Sequence, residues 1–116
     1  LSSRLARPGQ ASFRRLLFRA YKGQCLLTRE NMSEVLEAIH IRPVKHQGSD
    51  QVGNGFLLRV DVHTLFDGGH IRIDPQGSVH YSEATKQSPS YRDLPEQVDL
   101  PRFISQQALE WRWNYT

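Results

Sequence analysis

The chain contains a single cysteine, Cys25, and this limits the folds open to its 116 residues. One cysteine cannot form an internal disulfide framework or a zinc site built on cysteine pairs. A domain of this size must therefore be held together by its own hydrophobic core. The composition, with 38% hydrophobic and 23% charged residues, is typical of a globular protein rather than a disordered one.

No part of the sequence could cross a membrane as a helix, because no apolar run approaches the roughly 20 residues that a bilayer requires. A secretory signal pattern is also absent. The first residue is Leu1 rather than methionine, so we expect the domain to have been excised from a longer protein. Together with the cysteine count, these features predict a reducing cytoplasmic location and no membrane partner.

The spacing of apolar residues predicts an α+β fold in one domain over residues 1–116, with a core at about 10–81. Helices are predicted at residues 10–21, 60–66 and 103–113. Strands are predicted at residues 25–27, 35–41, 71–73 and 79–81. We expect the first two strands to pair antiparallel and the last two to form a hairpin. Residues 86–115 would then be an extended connector followed by the final helix.

Positive charge is concentrated at the start of the chain, although the net charge is only +3. Residues 1–29 hold seven of the 15 basic residues and no acidic one, which leaves eight basic and 12 acidic residues in the remainder. This asymmetry is typical of a basic arm and helix that bind a polyanion, but a solvated helix face has the same pattern. On the first interpretation the arm includes Arg4 and Arg7, and the helix contacts the polyanion through Arg14, Arg15, Arg19 and Lys22.

An imidazole interrupts the apolar stretch LEAIHIRPV, residues 36–44. His40 lies near the end of a predicted strand, which Pro43 terminates because proline has no N–H to donate. One interpretation is a core histidine that hydrogen-bonds a backbone carbonyl. The other is a catalytic base at the end of a buried strand, since an imidazole with a pKa of roughly 6.5 is largely neutral in the cell.

Three polar side chains follow one another in an order that resembles a known family. His40, Asn54 and His63 lie at a strand end, in a glycine-containing loop and on the next helix. Together with the stretches RPGQASFRRLLFRAYKGQCLLT, LEAIHIRP and GNGFLLRVDVHTLFDGGHIRI, this order resembles the HNH endonucleases of bacterial restriction and defence systems. The resemblance covers roughly residues 7–75. It implies a ββα-metal (His-Me finger) core with flanking N- and C-terminal helices and a β-hairpin, in a bacterial cytoplasm.

By that resemblance His40 is the general base, Asn54 holds the loop and orients the base, and His63 binds a metal ion. Asp67 lies four residues after His63, so both side chains point to one side of the helix and could share a cation. An imidazole with a carboxylate suits one divalent ion, Mg²⁺ or Mn²⁺ first, with Zn²⁺ and Ni²⁺ as alternatives. Without the family, Asn54 would be interpreted as the turn residue of an Asn-Gly pair, and His63 with Asp67 as a surface hydrogen bond.

One position departs from the family pattern. Many HNH motifs carry an aspartate or histidine directly before the base as a further metal ligand, whereas this chain has Ile39. The metal would then depend on His63, Asp67, water and substrate phosphate, or recruit a carboxylate such as Glu37. Many relatives also carry pairs of cysteines, and here Cys25 is alone.

The function that the resemblance implies is a metal-dependent DNA endonuclease domain, the cleavage module of a restriction or anti-phage effector. Double-stranded DNA is the expected partner, and a fused or associated domain would supply specificity. Arg42 and Arg59 are candidates to clamp phosphate, with a solvated or ion-paired arginine as the alternative for each. Trp111 and Trp113 are interpreted as core anchors rather than a base-stacking platform. The alternative functions are a catalytically weak nucleic-acid-binding module of the same fold and a toxin-type nuclease.

Overall fold

The described part of the chain opens with an amphipathic helix. In the computed structural model, which describes residues 9–115, helix α1 spans Gln10–Ala20 and confirms the predicted helix. Phe13 and Leu17 lie one turn apart and are buried, whereas Leu16, predicted on the same face, is 37% exposed. The helix is therefore attached to the core along a narrow stripe, and most of its surface faces solvent.

The second predicted strand is present, but its partner is not the predicted one. Strand β1 spans Leu36–His40 and pairs antiparallel with β2, Gly55–Arg59, in a register that puts His40 opposite Gly55. The prediction that residues 25–27 form a strand paired with β1 is wrong, because these residues form a turn. This turn nevertheless touches the hairpin, since the Leu26 N–H donates to the Leu57 carbonyl oxygen at 2.9 Å.

Cys25 accounts for the turn. Its buried sulfur accepts hydrogen bonds from the backbone N–H groups of Thr28 at 3.4 Å and Arg59 at 3.3 Å. The Arg29 N–H also donates to the Cys25 carbonyl oxygen at 3.0 Å, which closes the segment on itself. The thiol is therefore a buried hydrogen-bond acceptor as well as a small hydrophobic side chain.

Strand β2 has no alternating pattern, because residues 55–58 are all buried. Gly55 packs beneath α1, and a Cβ added there would lie 2.5 Å from Leu17 Cδ1 and 2.8 Å from Phe13 Cζ. The Tyr21 hydroxyl donates to the Gly55 carbonyl oxygen at 2.7 Å, and burial raises the pKa of this phenol well above its usual value. The close approach at Gly55 thus fixes α1 against the first hairpin.

Helix α2, Val60–Asp67, follows β2 directly and confirms the predicted helix. Val62 and Phe66 are its buried residues and join the core formed with the hairpin. The order strand, strand, helix therefore carries the three polar residues of the sequence pattern: His40 on β1, Asn54 just before β2, and His63 on α2.

The second half of the chain packs a smaller hairpin against α2. Strands β3 (Ile71–Ile73) and β4 (Val79–Tyr81) pair antiparallel as predicted. A short helix, α3 (Glu83–Gln87), begins just before the predicted connector, and the chain then returns beside the hairpin through a bridge between Ser78 and Gln97. Helix α4 (Gln106–Tyr115) starts three residues later than predicted.

The fold over residues 9–115 is thus a mixed α+β domain with two two-stranded antiparallel sheets and four α-helices. No helix in this range is long and apolar enough to cross a bilayer.

Candidate active site

A cleft of about 710 Å³ opens between the end of β1, helix α2, the loop after Pro43 and helix α4. His40 and His63 both line it, as expected from the sequence. Asp67 and Arg112 also line the cleft, so the imidazoles of His40 and His63 share one open space with a carboxylate and a guanidinium.

His40 is held on two sides. Its ring stacks on Phe13 of α1, with centroids 4.0 Å apart and planes 6° from parallel. Its Nε2 lies 2.9 Å from Oδ1 of Asp50. The imidazole is only 16% exposed, and the carboxylate is 36% exposed. An ionised carboxylate can only accept, so the contact places a proton on Nε2 and leaves Nδ1 as the basic nitrogen of a neutral ring.

Asn54 closes the loop that joins β1 to β2. Its Oδ1 accepts from the Arg42 N–H at 2.9 Å, and its Nδ2 donates to the carbonyl oxygens of Arg42 at 2.9 Å and Ser49 at 2.8 Å. The side chain is 5% exposed, so these bonds are shielded from water. Gly48 is required here, because a Cβ would lie 1.6 Å from the Arg42 carbonyl oxygen. Asn54 therefore fixes the backbone on both sides of the loop that presents Asp50 to His40.

His63 lies between two carboxylates. Its Nδ1 is 2.6 Å from Oε1 of Glu37 on β1, and its Nε2 is 3.0 Å from Oδ2 of Asp67. A neutral imidazole carries one N–H and can donate to one of these groups only. The second contact therefore needs a further proton or a cation. Glu37 and Asp67 contact opposite edges of the His63 ring, Glu37 at Nδ1 and Asp67 at Nε2.

The donor set fits a divalent ion bound by few protein ligands. The 3.0 Å between His63 Nε2 and Asp67 Oδ2 is about the separation of adjacent ligands on an octahedral ion with bonds of about 2.1 Å. With Nδ1–H donated to Glu37, Nε2 is the nitrogen that can bind metal, which is a common outer-shell arrangement of metal-binding histidines. Among residues 9–115, no group of three or more His, Cys, Asp or Glu side chains is placed to hold a metal. Water and substrate oxygens would complete the coordination, as is usual for Mg²⁺.

The candidate phosphate contacts lie in different places. Arg42 is half-buried beside the cleft, where its Nε donates to the His46 carbonyl oxygen at 2.7 Å. The predicted contacts on α1 and just after it are exposed; they are Arg14, Arg15, Arg19 and Lys22. The Arg14 guanidinium lies over the Phe18 ring, and Arg15 donates to the Ser12 hydroxyl. Arg4 and Arg7 lie outside the described residues.

Arg59 is engaged in an ion pair away from the cleft. Its guanidinium makes two bonds to Asp61, at 2.7 and 3.0 Å, and the Tyr91 hydroxyl donates to the same carboxylate at 2.8 Å. The hydrogen bond from Arg59, reinforced by that from Tyr91, lowers the pKa of Asp61 to about 2. This is the ion-paired alternative that the sequence left open, and phosphate binding by Arg59 stays a prediction.

Two residues that contact the candidate site side chains could not be recognised from the sequence around them. Asp50 sits in a polar loop among other turn residues, and Arg112 lies on α4, 45 positions from its partner Asp67. The Arg112 guanidinium donates to Asp67 at 3.3 Å and to the Ile41 carbonyl oxygen at 3.1 Å. Only folding brings these groups to the two histidines. The sole hint in the sequence is the proximity of an acid to His40 in one loop.

Part of the chain matches a known protein family. Residues 25–74, which include the candidate site from Glu37 to Asp67, match the family described as HNH endonuclease. Over these residues the chain is similar to the HNH endonuclease family, and this similarity implies the ββα-metal fold. No curated protein sequence matches the chain.

A solved structure supports the fold over nearly the whole chain. The protein is similar to a modification-dependent TagI restriction endonuclease, with 19% sequence identity and a TM-score of 0.66. The similarity covers 90% of this chain and 37% of the other, so the domain corresponds to little more than a third of that enzyme's length. At this identity the likeness shows a shared fold.

Proposed function

We propose that the chain is a metal-dependent DNA endonuclease domain that hydrolyses phosphodiester bonds. The observation that carries the proposal is the single cleft in which His40 paired with Asp50 and His63 paired with Asp67 face the same space. The similarity of residues 25–74 to the HNH endonuclease family supports the same activity.

His40 is the proposed general base. Asp50 accepts a hydrogen bond from Nε2–H, so the lone pair on Nδ1 takes a proton from the attacking water. The water oxygen then forms a bond to phosphorus as the bond to the leaving oxygen breaks. Stacking on Phe13 keeps the ring from rotating, and the carboxylate of Asp50 stabilises the imidazolium that forms.

His63 and Asp67 are the proposed metal ligands, and Glu37 orients His63. The ion, when bound, would neutralise the charge that develops on the phosphoryl and leaving oxygens. Arg112, which donates to Asp67, aligns that carboxylate and adds positive charge to the cleft. Asn54 keeps the loop between β1 and β2 in the conformation that brings Asp50 to His40.

Double-stranded DNA is the proposed substrate, held by exposed arginines on α1 and by Arg42. Contacts of this kind bind phosphate without discriminating sequence. Because the domain corresponds to about a third of a modification-dependent restriction enzyme, we propose that a fused or associated domain supplies specificity in a restriction or defence setting.

A second candidate is a binding module that has lost cleavage. Ile39, at the position where many relatives have a further metal ligand, is buried and supplies none. The two functions differ in one assay. Supercoiled plasmid is incubated with the chain and Mg²⁺, Mn²⁺, Zn²⁺ or Ni²⁺, with EDTA as the metal-free control.

Nicked or linear plasmid that appears only with a divalent ion, and that a His40→Ala variant does not produce, is the expected result. Plasmid that is bound but uncut with all four ions would leave the binding module as the function. Cleavage that persists in EDTA would contradict the proposed metal role of His63 and Asp67.

A further inference from the structure

One wall of the cleft is aromatic, and the proposed hydrolysis uses none of it. Trp111 and Tyr115 lie one turn apart on α4, with ring centroids 4.6 Å apart and planes at 15°. His46, on the loop after β1, packs on both rings with centroid distances of 5.1 and 4.8 Å. These three residues, here called the aromatic cluster, line the same cleft as His40 and His63.

The aromatic cluster is open to solvent and has cations at its edge. Tyr115 is 60% exposed, an unusual fraction for a large aromatic side chain. The Arg42 guanidinium lies 5.2 Å from the Trp111 ring centroid, and Lys45 lines the same cleft. Aromatic rings beside positive charge suit a nucleotide, because its base can stack and its phosphate is an anion.

One member of the aromatic cluster, His46, is also held within the loop that carries Asp50. Asn54 holds the backbone N–H and carbonyl of Arg42, and the Arg42 side chain in turn holds the His46 carbonyl oxygen. The same loop presents Asp50 to His40. The His46 backbone is therefore fixed relative to the proposed base, and the His46 ring packs on Trp111 and Tyr115.

Trp113, two residues after Trp111, has a different environment. Its ring lies under the Arg72 guanidinium at 3.8 Å and packs on His80 at a centroid distance of 4.9 Å, against the second hairpin. The interpretation of the tryptophans as packing anchors thus describes Trp113, whereas Trp111 faces the cleft. The two residues form a natural test pair on one helix.

We infer that the aromatic cluster is a nucleobase-binding subsite that stacks on an unpaired base of the substrate DNA strand, next to the phosphate in the cleft. The inference rests on the proposed endonuclease function and narrows its substrate. A base inside a duplex already stacks on its neighbours and cannot reach a side chain. The subsite therefore selects DNA with an extruded or unpaired base near the cut.

The test measures binding to two DNA duplexes that differ only by one unpaired base. The full 116-residue chain carries His40→Ala so that the DNA stays intact, and fluorescence anisotropy gives each Kd. We expect the duplex with the unpaired base to bind more tightly. Trp111→Ala should weaken that binding roughly 5- to 100-fold, the range for loss of one base-stacking side chain, and leave the fully paired duplex nearly unaffected.

Trp113→Ala is the matched control and should leave both affinities unchanged. Tyr115→Ala is a second probe. Because the Tyr115 side chain is exposed, its removal should leave the fold intact, and thermal unfolding of all three variants checks this. Equal losses for Trp111→Ala and Trp113→Ala, or equal binding of both duplexes by the parent chain, would overturn the subsite. Plasmid cleavage by the chain with native His40 is measured separately, so failure of the endonuclease proposal is distinguishable from failure of the subsite.

Discussion

Among the histidine–aspartate pairs of residues 9–115, two have the same length but lie in different settings. In the cleft, His40 Nε2 lies 2.9 Å from Asp50, and in the second hairpin His80 Nε2 lies 2.9 Å from Asp74. The exposures are reversed. In the cleft the imidazole is 16% exposed and the acid 36%, whereas in the hairpin the imidazole is 51% exposed and the acid 15%.

The reversed exposures show which residue of each pair is held in place by the surrounding fold. Asp74 is the fixed group of the hairpin, because its Oδ1 also accepts from the N–H groups of Gln76 and Ser78 and shapes the turn. In the cleft the fixed group is His40, which stacks on Phe13. A histidine–aspartate contact therefore does not by itself indicate a catalytic residue. What distinguishes His40 from His80 is that its ring lies in the cleft.

The largest expected difference between the pairs is in cleavage rate. His40→Ala should lower cleavage by roughly 10²–10⁴-fold, the contribution of a general base, and leave DNA affinity nearly unchanged. His80→Ala should cut at the wild-type rate. Initial rates on plasmid measure both, with thermal unfolding as the folding control. A folded His40→Ala variant that cuts normally would identify His40 as a core residue only.

Replacing the aspartate of each pair should also give different cleavage rates, but by a smaller factor than replacing the histidine. Asp50→Asn removes the charge that sets the His40 tautomer, so cleavage should fall about 10- to 100-fold, part of the contribution of the base. Asp74→Asn should not change it. ¹⁵N NMR of the labelled imidazoles, recorded without metal, should show a change at His40 in Asp50→Asn. An unchanged His40 tautomer together with an unchanged rate would remove Asp50 from the mechanism.

Glu37→Gln tests whether the second cleft histidine depends on an acid in the same way. The amide still accepts a hydrogen bond from His63 but lacks the charge, so we expect Mn²⁺ affinity to fall about 10-fold, at the low end for outer-shell partners of metal-binding histidines. Calorimetric titration measures the affinity, and Glu34→Gln, on the exposed turn before β1, is the control. Equal Mn²⁺ binding by both variants would mean that Glu37 does not orient His63.

The smallest effect should be a stability difference confined to the hairpin pair. Burial would raise the pKa of Asp74, but hydrogen bonds from His80 and from the backbone of Ser78 and Gln76 outweigh it and lower that pKa. A lowered pKa in the folded state contributes stability above the unfolded value of about 3.9 and loses it as pH falls.

Asp74→Asn should therefore lower the free energy of unfolding at pH 7, measured by urea denaturation, by a fraction of the about 1 kcal/mol that one hydrogen bond contributes. The difference in stability from wild type should shrink as the pH falls below the unfolded value of about 3.9. A stability difference between wild type and Asp74→Asn that widens at low pH would contradict a stabilising role for the Asp74 charge.

Much of the helical and hairpin structure could be predicted because it repeats within a few residues. The pattern of Phe13 and Leu17 marks α1, and the turn between Ile73 and Val79 marks the second hairpin. Strand β2 could not be predicted, since a strand buried on both faces lacks alternation. The apolar run at Cys25 predicts a strand, but its residues are buried in a turn without extended pairing.

What the sequence by itself determined is the order His40, Asn54, His63 and Asp67, which is enough to indicate the family. Only the tertiary structure decided which groups hold those residues. The opposing strands and α4 bring together side chains far apart in the chain, such as Glu37 with His63 and Arg112 with Asp67. Hydrogen bonds between such distant residues leave no periodic signal in a sequence, because their geometry depends on strand register and helix packing rather than on neighbouring residues.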